Sequence, residues 1–227
     1  MNKIITLYIL NRKQDTAVWL APLVAITLLL LRVKITHSMY LLFLIWNLFL
    51  AIVPYFISSN IHNNFFDKSK KTQNTFYALG WLLFIPNTFY ILTDFTHLHF
   101  KNTFQFGLDL LIISSFSFSG FYVGLLSLCH MHQLAIAKYG NKAGNLFLVI
   151  ISFLSAFGIY LGRVLRFNSW DIISKPIELV YTSISALFSF ETILYTLQLG
   201  TIILISYILF YYWNQKNFKR NTDERNY

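Results

Sequence analysis

Charged residues are scarce in this chain of 227 residues, since Asp, Glu, Lys and Arg together make up only 12% of it. An ordinary soluble domain contains about twice that fraction. Hydrophobic residues make up 56% of the chain, and aromatic residues alone make up 19%. This balance excludes a conventional soluble globular protein and indicates a polytopic membrane protein.

Cysteine and the common catalytic motifs are also rare or missing. The single cysteine, Cys129, lies in an apolar segment, which excludes a disulfide framework and a cysteine-based zinc site within one chain. The sequence contains no G-x-S-x-G elbow, no H-E-x-x-H pair and no glycine-rich phosphate loop. No familiar enzyme class is therefore indicated by a motif.

Long apolar runs are what the sequence has instead. Six of them approach the length of about 20 residues that a helix needs to cross a bilayer. They cover residues 17–31, 39–57, 76–93, 108–129, 146–165 and 193–213. Because strands of a membrane barrel would alternate between polar and apolar residues, we predict an all-α fold. The chain is expected to form one transmembrane domain over residues 1–227, a polytopic six-helix bundle.

The connection before the last apolar run is longer than a plain bundle loop. From Pro176 to about residue 190, apolar residues recur at spacings of three and four with polar residues between them. This is the pattern of an amphipathic helix, and proline is tolerated in its first turn. We predict an interfacial helix at residues 176–190.

Lysine and arginine are unevenly divided between the two sides of the six spans. Of the 18, twelve lie on the side of both termini and six lie on the other side. Basic residues collect on the cytoplasmic side of membrane proteins, so both termini are predicted to be cytoplasmic and the protein to lie in the cell membrane. The same bias explains the net charge of +9, and we expect the lipid bilayer and no nucleic acid as a partner.

Ionisable residues at the span ends gather on the opposite, outer side. Such residues are costly in a membrane and usually have a partner or a function. Asp94, His97 and Asp171 are candidate catalytic residues, and with Asp109 they are candidate ligands of a divalent metal such as zinc or manganese. The candidates for substrate binding are Arg163, Arg166, Asn168, Trp170 and Asn87.

Three functions are compatible with these residues. In an enzyme, the metal would activate water or polarise a group of a lipid-linked or anionic substrate. In a transporter of ions or small solutes, Pro86 would interrupt the third span, and Asn47 and Asn87 would line a polar path. In a non-catalytic scaffold or regulatory subunit, the Asp and Arg residues would form salt bridges that hold the bundle together.

Two helix faces carry small residues at a spacing of four. Gly120 and Gly124 lie in the fourth span, and Gly158 and Gly162 lie in the fifth. Faces of this kind let helices approach closely. If these two spans pack together, the charged residues at their outer ends are expected to lie near each other.

Three further polar residues lie within or just after the spans. Asn47, in the second span, is expected to form a hydrogen bond to another helix. His130 and His132 follow the fourth span on the cytoplasmic side. Both histidines are predicted to be interfacial.

Three stretches of the sequence share a recognisable pattern. They are residues 81–98 (WLLFIPNTFYILTDFTHL), residues 162–171 (GRVLRFNSWD) and residues 124–128 (GLLSL). They resemble a bacterial integral membrane family described as domain of unknown function 1361. The resemblance extends from the second span to the sixth, implies a polytopic fold and brings no activity with it. The signature positions that it implies are Pro86, Asn87, Asp94, His97, Asp109, Arg163, Arg166, Asn168, Trp170 and Asp171.

Overall fold

Helices form most of the protein in a computed structural model that describes residues 2–65, 67–100, 102–168 and 170–223. This part contains eight α-helices and no strand. The helices are α1 (Asn2–Thr36), α2 (Phe43–Asn63), α3 (Lys71–Tyr90), α4 (Thr103–Tyr139), α5 (Asn141–Arg163), α6 (Asp171–Ser174), α7 (Pro176–Leu187) and α8 (Phe190–Asp223). Two 3-10 segments, Lys68–Lys70 and Ile91–His97, flank α3.

Six helices are long and apolar enough to cross a membrane: α1 from Val18 onward, α2, α3 with the segment after it, α4, α5, and α8 to Gln215. The prediction of an all-α polytopic bundle is confirmed. Most of the helices extend beyond the predicted spans because helical hydrogen bonding continues into the polar turns that flank an apolar run. The predicted helix before the last span is present as α7.

The long helix α4 lies at the centre of the bundle. It contacts α1, α2, α3, α5 and α8, whereas α8 packs mainly against α5. Helix α3 lies beside α2 on one side and α5 on the other, and it also touches α4. The position of α3 matters for function because its remaining side is left open between α2 and α5.

Glycines allow α3 to pack closely on both α4 and α5. A Cβ atom on Gly124 of α4 would lie 2.5 Å from Thr88 Oγ1, and one on Gly158 of α5 would lie 2.8 Å from Pro86 Cγ. These two glycines therefore face α3, whereas their sequence pattern favours a close approach of α4 and α5 to each other. The space beside Gly158 also accommodates the proline ring, and α3 continues through Pro86 to Tyr90. The predicted interruption of this helix is not present.

His130 and His132 are buried inside the bundle, so the prediction that they are interfacial is wrong. His130 Nδ1 lies 3.2 Å from Ser58 Oγ of α2, and His132 Nδ1 lies 2.7 Å from Tyr207 OH of α8. Residues two apart on a helix point to different neighbours. Each ring can be buried because the helix that it faces supplies a polar partner.

Ser58 belongs to a buried chain of hydrogen bonds that joins α2, α3 and α4. Trp81 Nε1 donates to Ser127 Oγ at 2.8 Å, and the Ser127 hydroxyl donates to Ser58 Oγ at 3.0 Å. All three side chains are buried. A buried polar group that loses its hydrogen-bond partner is no longer compensated for the free energy of its desolvation.

Ser127→Ala is therefore expected to lower the free energy of unfolding by about 1–3 kcal/mol, because the Trp81 N–H loses its acceptor. Unfolding in mixed detergent micelles with increasing dodecyl sulfate measures this change. Ser115→Ala is the matched control, since Ser115 Oγ bonds to Leu111 O of its own helix, and it should stay within about 0.5 kcal/mol of wild type. Equal stability of the two variants would contradict the prediction.

Candidate functional site

A cavity of about 760 Å³ lies between α2, α3 and α5. Helix α3 supplies much of its lining, from Leu79 to Tyr90, and Leu179 of α7 contributes near one end. Two of its lining residues, Trp46 and Leu79, are 54% and 60% exposed. The cavity therefore opens on the outer surface of the helices, where a membrane protein meets lipid.

Polar residues line one end of this cavity. Asn87 and Tyr90 lie in the last turn of α3, Asn47 lies in the first turns of the antiparallel α2, and Asn168 and Trp170 follow α5. The opposite end is lined by apolar residues and a glycine, including Leu50, Leu79, Gly80, Leu83 and Leu154. None of the described residues that line the cavity is charged.

Asp94 lies behind the polar end and is fully buried, with 0% exposure. Asn47 Nδ2 donates to Asp94 Oδ2 at 2.8 Å, and Arg163 Nη1 lies 3.7 Å from Asp94 Oδ1. Within the described residues Oδ1 accepts no hydrogen bond, so its interaction with the guanidinium is mainly electrostatic. The prediction that Asn47 bonds to another helix is confirmed, since Asp94 belongs to the 3-10 helix that follows α3.

Arg163 ends α5, and its guanidinium is held by the last residue of α3 and by the segment after it. Nη1 donates to Tyr90 OH at 3.1 Å, and Nη2 donates to Thr93 O at 2.9 Å and to Thr96 Oγ1. A guanidinium offers its donors in a fixed planar fork. These contacts therefore fix the end of α5 against α3 and fix the position of the Tyr90 hydroxyl.

Asp109 does not line the cavity and forms a buried ion pair with Arg32 of α1. Arg32 Nε donates to Asp109 Oδ1 at 2.9 Å and Nη2 donates to Oδ2 at 3.3 Å, while Nη1 donates to Ser38 O at 2.6 Å. The expectation that Asp109 would meet the charge at the end of α5 is wrong, because Arg163 pairs with Asp94 instead. Sequence reasoning missed Arg32, although it closes the first span on the same side as Asp109.

His97 and Arg166 lie outside the cavity lining. The His97 ring packs against Phe43 with 4.8 Å between ring centroids. Arg166 is exposed and has a φ of +61°, a left-handed conformation that costs an L-residue about 1–2 kcal/mol. It follows the end of α5, where such a residue commonly terminates a helix.

Asp171 begins α6 and holds the connection that follows α5. Its Oδ2 accepts from the Asn168 backbone N–H at 2.6 Å, and its Oδ1 accepts from Ser174 Oγ at 2.9 Å. These hydrogen bonds, the backbone one first, lower the pKa of Asp171 below its ordinary value. The observed contacts of this carboxylate are therefore those of a loop-ordering residue beside Trp170.

Only some of the predicted site residues lie at the cavity. Those at or directly behind the polar end of the cavity are Asn87, Asp94, Arg163, Asn168 and Trp170. Asn47 was predicted to line a polar path only in a transporter, and Tyr90 was not recognised in the sequence, although it precedes Asp94 by one helical turn. In the part of the chain that the structure describes, no three His, Cys, Asp or Glu residues form a group suited to a metal ion. The zinc or manganese site stays a prediction.

The sequence from residue 46 to residue 206 matches the model of a family described as a protein of unknown function, DUF1361. The chain belongs to this family. The matched range contains every residue that lines the cavity, whereas Arg32 lies outside it. No curated protein and no solved structure matches the chain. The protein is therefore a multi-pass membrane protein of the DUF1361 family.

Proposed function

We propose that this DUF1361 protein binds an amphiphilic lipid or lipid-linked molecule taken directly from the membrane. The observation that carries the proposal is the change along the cavity from an apolar lining to a polar one, in a space that opens on the lipid-facing surface. An acyl or prenyl chain would occupy the apolar part. The head group would lie beside Asn47, Asn87 and Tyr90.

The dimensions of the cavity suit such a ligand. Its volume of about 760 Å³ lies within the range of known small-molecule sites, about 300–1,000 Å³. The face of α3 from Leu79 to Tyr90 measures about 17 Å at 1.5 Å per residue. A bound chain could therefore span half of the hydrocarbon core, about 15 Å, while its head stays at the polar end.

The head-group end is proposed to face the extracytoplasmic leaflet of the cell membrane. Two features support this orientation: the lysine and arginine bias, which favours cytoplasmic termini, and the position of α7 at the same end of the bundle. Apolar side chains of α7 such as Ile177 and Tyr181 are exposed. An amphipathic helix of this kind lies in the boundary between head groups and acyl chains, where a lipid would enter.

Filling the cavity tests the proposal. Gly80 lines the apolar end, and a Cβ atom there would meet only Ile57 Cδ1 at 4.0 Å, so a larger side chain can project into the space without moving the backbone. Gly80→Phe is expected to reduce the lipid retained by the purified protein at least about tenfold, which corresponds to about 1.4 kcal/mol. Native mass spectrometry after detergent extraction measures the retained lipid.

The matched control is Gly107→Phe. A Cβ atom on Gly107 would meet nothing within 4 Å, and Gly107 does not line the cavity. Both variants replace a helical glycine and should gain similar helix propensity. Equal lipid retention by Gly80→Phe and wild type, or equal loss in the two variants, would refute lipid binding in this cavity.

A further inference from the structure

We propose that Asn47 and Tyr90 form an acceptor and donor pair that recognises a hydroxyl group on an uncharged lipid head, with Asp94 and Arg163 as the positioning residues that set the direction of each. This inference rests on the proposed lipid binding and names the class of head group. The four side chains form one continuous chain of contacts. Its two ends line the cavity, whereas the charged residues in its middle do not.

The direction of the Asn47 amide follows from its partner. An ionised carboxylate only accepts hydrogen bonds, so the atom 2.8 Å from Asp94 Oδ2 must be the amide nitrogen. The amide oxygen, which the carboxylate repels, then lies away from Asp94 and can accept a hydrogen bond from a ligand. At this position the cavity presents an acceptor.

The direction of the Tyr90 hydroxyl follows in the same way from Arg163. A guanidinium only donates hydrogen bonds, so the Tyr90 oxygen must accept from Arg163 Nη1 at 3.1 Å. The hydroxyl hydrogen is then what Tyr90 can offer to a ligand. At this position the cavity presents a donor.

A hydroxyl group matches such a pair because it donates and accepts at once. A fully ionised phosphate only accepts, so the Asn47 oxygen repels it from the pair and it gains little from the Tyr90 donor. The positive charge of Arg163 is offset by Asp94 at 3.7 Å, and no described residue of the lining carries a charge of its own. The other polar lining groups include the neutral side chains of Asn87 and Asn168. The chemistry therefore favours a glycerol or sugar hydroxyl over an anionic head.

Three lipids with identical acyl chains test this specificity on the detergent-purified full chain. Dioleoylglycerol carries a glycerol hydroxyl, monoglucosyl dioleoylglycerol carries sugar hydroxyls, and dioleoylphosphatidic acid carries a phosphate. Wild type is expected to bind at least one hydroxylated lipid about three- to tenfold more tightly than the phosphatidic acid, the effect of one net hydrogen bond. The hydroxylated lipid that binds more tightly shows whether the recognised hydroxyl belongs to glycerol or to a sugar.

Tyr90→Phe is expected to weaken binding of the preferred hydroxylated lipid by about three- to tenfold and to change phosphatidic acid binding by less than about twofold. Asp94→Asn is the second variant, because a neutral amide no longer dictates which end of Asn47 faces the cavity. It is expected to abolish the preference for a hydroxyl. A role in packing alone would alter binding of all three lipids equally.

Gly80→Phe separates the two proposals. If it weakens binding of all three lipids while wild type shows no preference, the cavity binds lipid and the hydroxyl assignment is overturned. The assignment is also overturned if the preference survives in both Tyr90→Phe and Asp94→Asn. If Gly80→Phe changes none of the three affinities, the proposed function itself fails.

Discussion

Asp109→Leu should lower the free energy of unfolding by about 3–5 kcal/mol, because it leaves the Arg32 guanidinium buried without its counter-charge. The two side chains are in contact at 2.9 Å, and the residues are 3% and 8% exposed. Once Asp109 is removed, the Ser38 carbonyl is the hydrogen-bond acceptor that remains to Arg32 in the structure. Dodecyl sulfate unfolding in mixed micelles measures the loss.

Removing both charges should reverse most of this loss. Buried ion pairs that are replaced by apolar residues of similar size leave stability unchanged or increase it, because no charge has to be desolvated. The double variant Arg32→Met with Asp109→Leu is therefore expected to unfold at or above the wild-type midpoint. If the double variant were as unstable as Asp109→Leu alone, Asp109 would contribute to stability by more than its pairing with Arg32, for example through the metal ligation predicted from the sequence.

An exposed ion pair provides the control for these variants. Lys175 Nζ lies 3.7 Å from Glu178 Oε2, and both side chains are about 60% exposed. Exposed pairs contribute between about 0 and 1 kcal/mol. Glu178→Gln should therefore leave the unfolding midpoint almost unchanged, which would show that burial causes the large effect at Asp109.

Gly124→Val should also be strongly destabilising, by about 1–3 kcal/mol or more, because it overfills the contact between α4 and α3. Its Cβ atom would lie 2.5 Å from Thr88 Oγ1 and 2.7 Å from Thr88 Cβ. Thr88 is fully buried and its hydroxyl donates to Ile85 O, so it cannot move aside without losing that bond. Helix α3 itself would have to shift, and lipid binding in the cavity along its other side should fall too.

Gly107→Val separates this contact from a general effect of valine in a helix. Both positions lie in α4, but nothing lies within 4 Å of a Cβ atom on Gly107. Unfolding midpoints and lipid retention are measured for both variants. Similar values would show that the approach of α3 to Gly124 does not limit stability.

The fold class could be predicted because the bilayer leaves the backbone few choices. Without water, a lipid-exposed backbone must satisfy its own hydrogen bonds, so a long apolar run becomes a helix. The runs at 146–165 and 193–213 lie mostly within α5 and α8. A helix at residues 176–190 was predictable for a different reason. Apolar residues recur there at spacings of three and four, which places them on one face of α7.

The residues of the candidate site were predictable only in part. Asn87, Asp94 and Arg163 are polar or charged residues at positions where a span makes them costly, so each attracts attention in the sequence. Tyr90 does not, because it is one of 14 tyrosines in a chain rich in aromatic residues. Its importance comes from the cavity and from Arg163, which lies 73 residues away in the chain.

The number of spans, the family and the gathering of costly residues at one end of the bundle all follow from the order of residues along the chain. The partners depend on the tertiary structure: Asp109 meets Arg32, Asp94 meets Arg163, and His130 meets Ser58. Helical periodicity assigns a residue its depth and its face, and both are local properties. Which helix covers that face depends on the shape of the whole bundle. Glycines of α4 and α5 allow α3 to pack closely against both helices, α2 covers a third side of α3, and the remaining side is open to lipid.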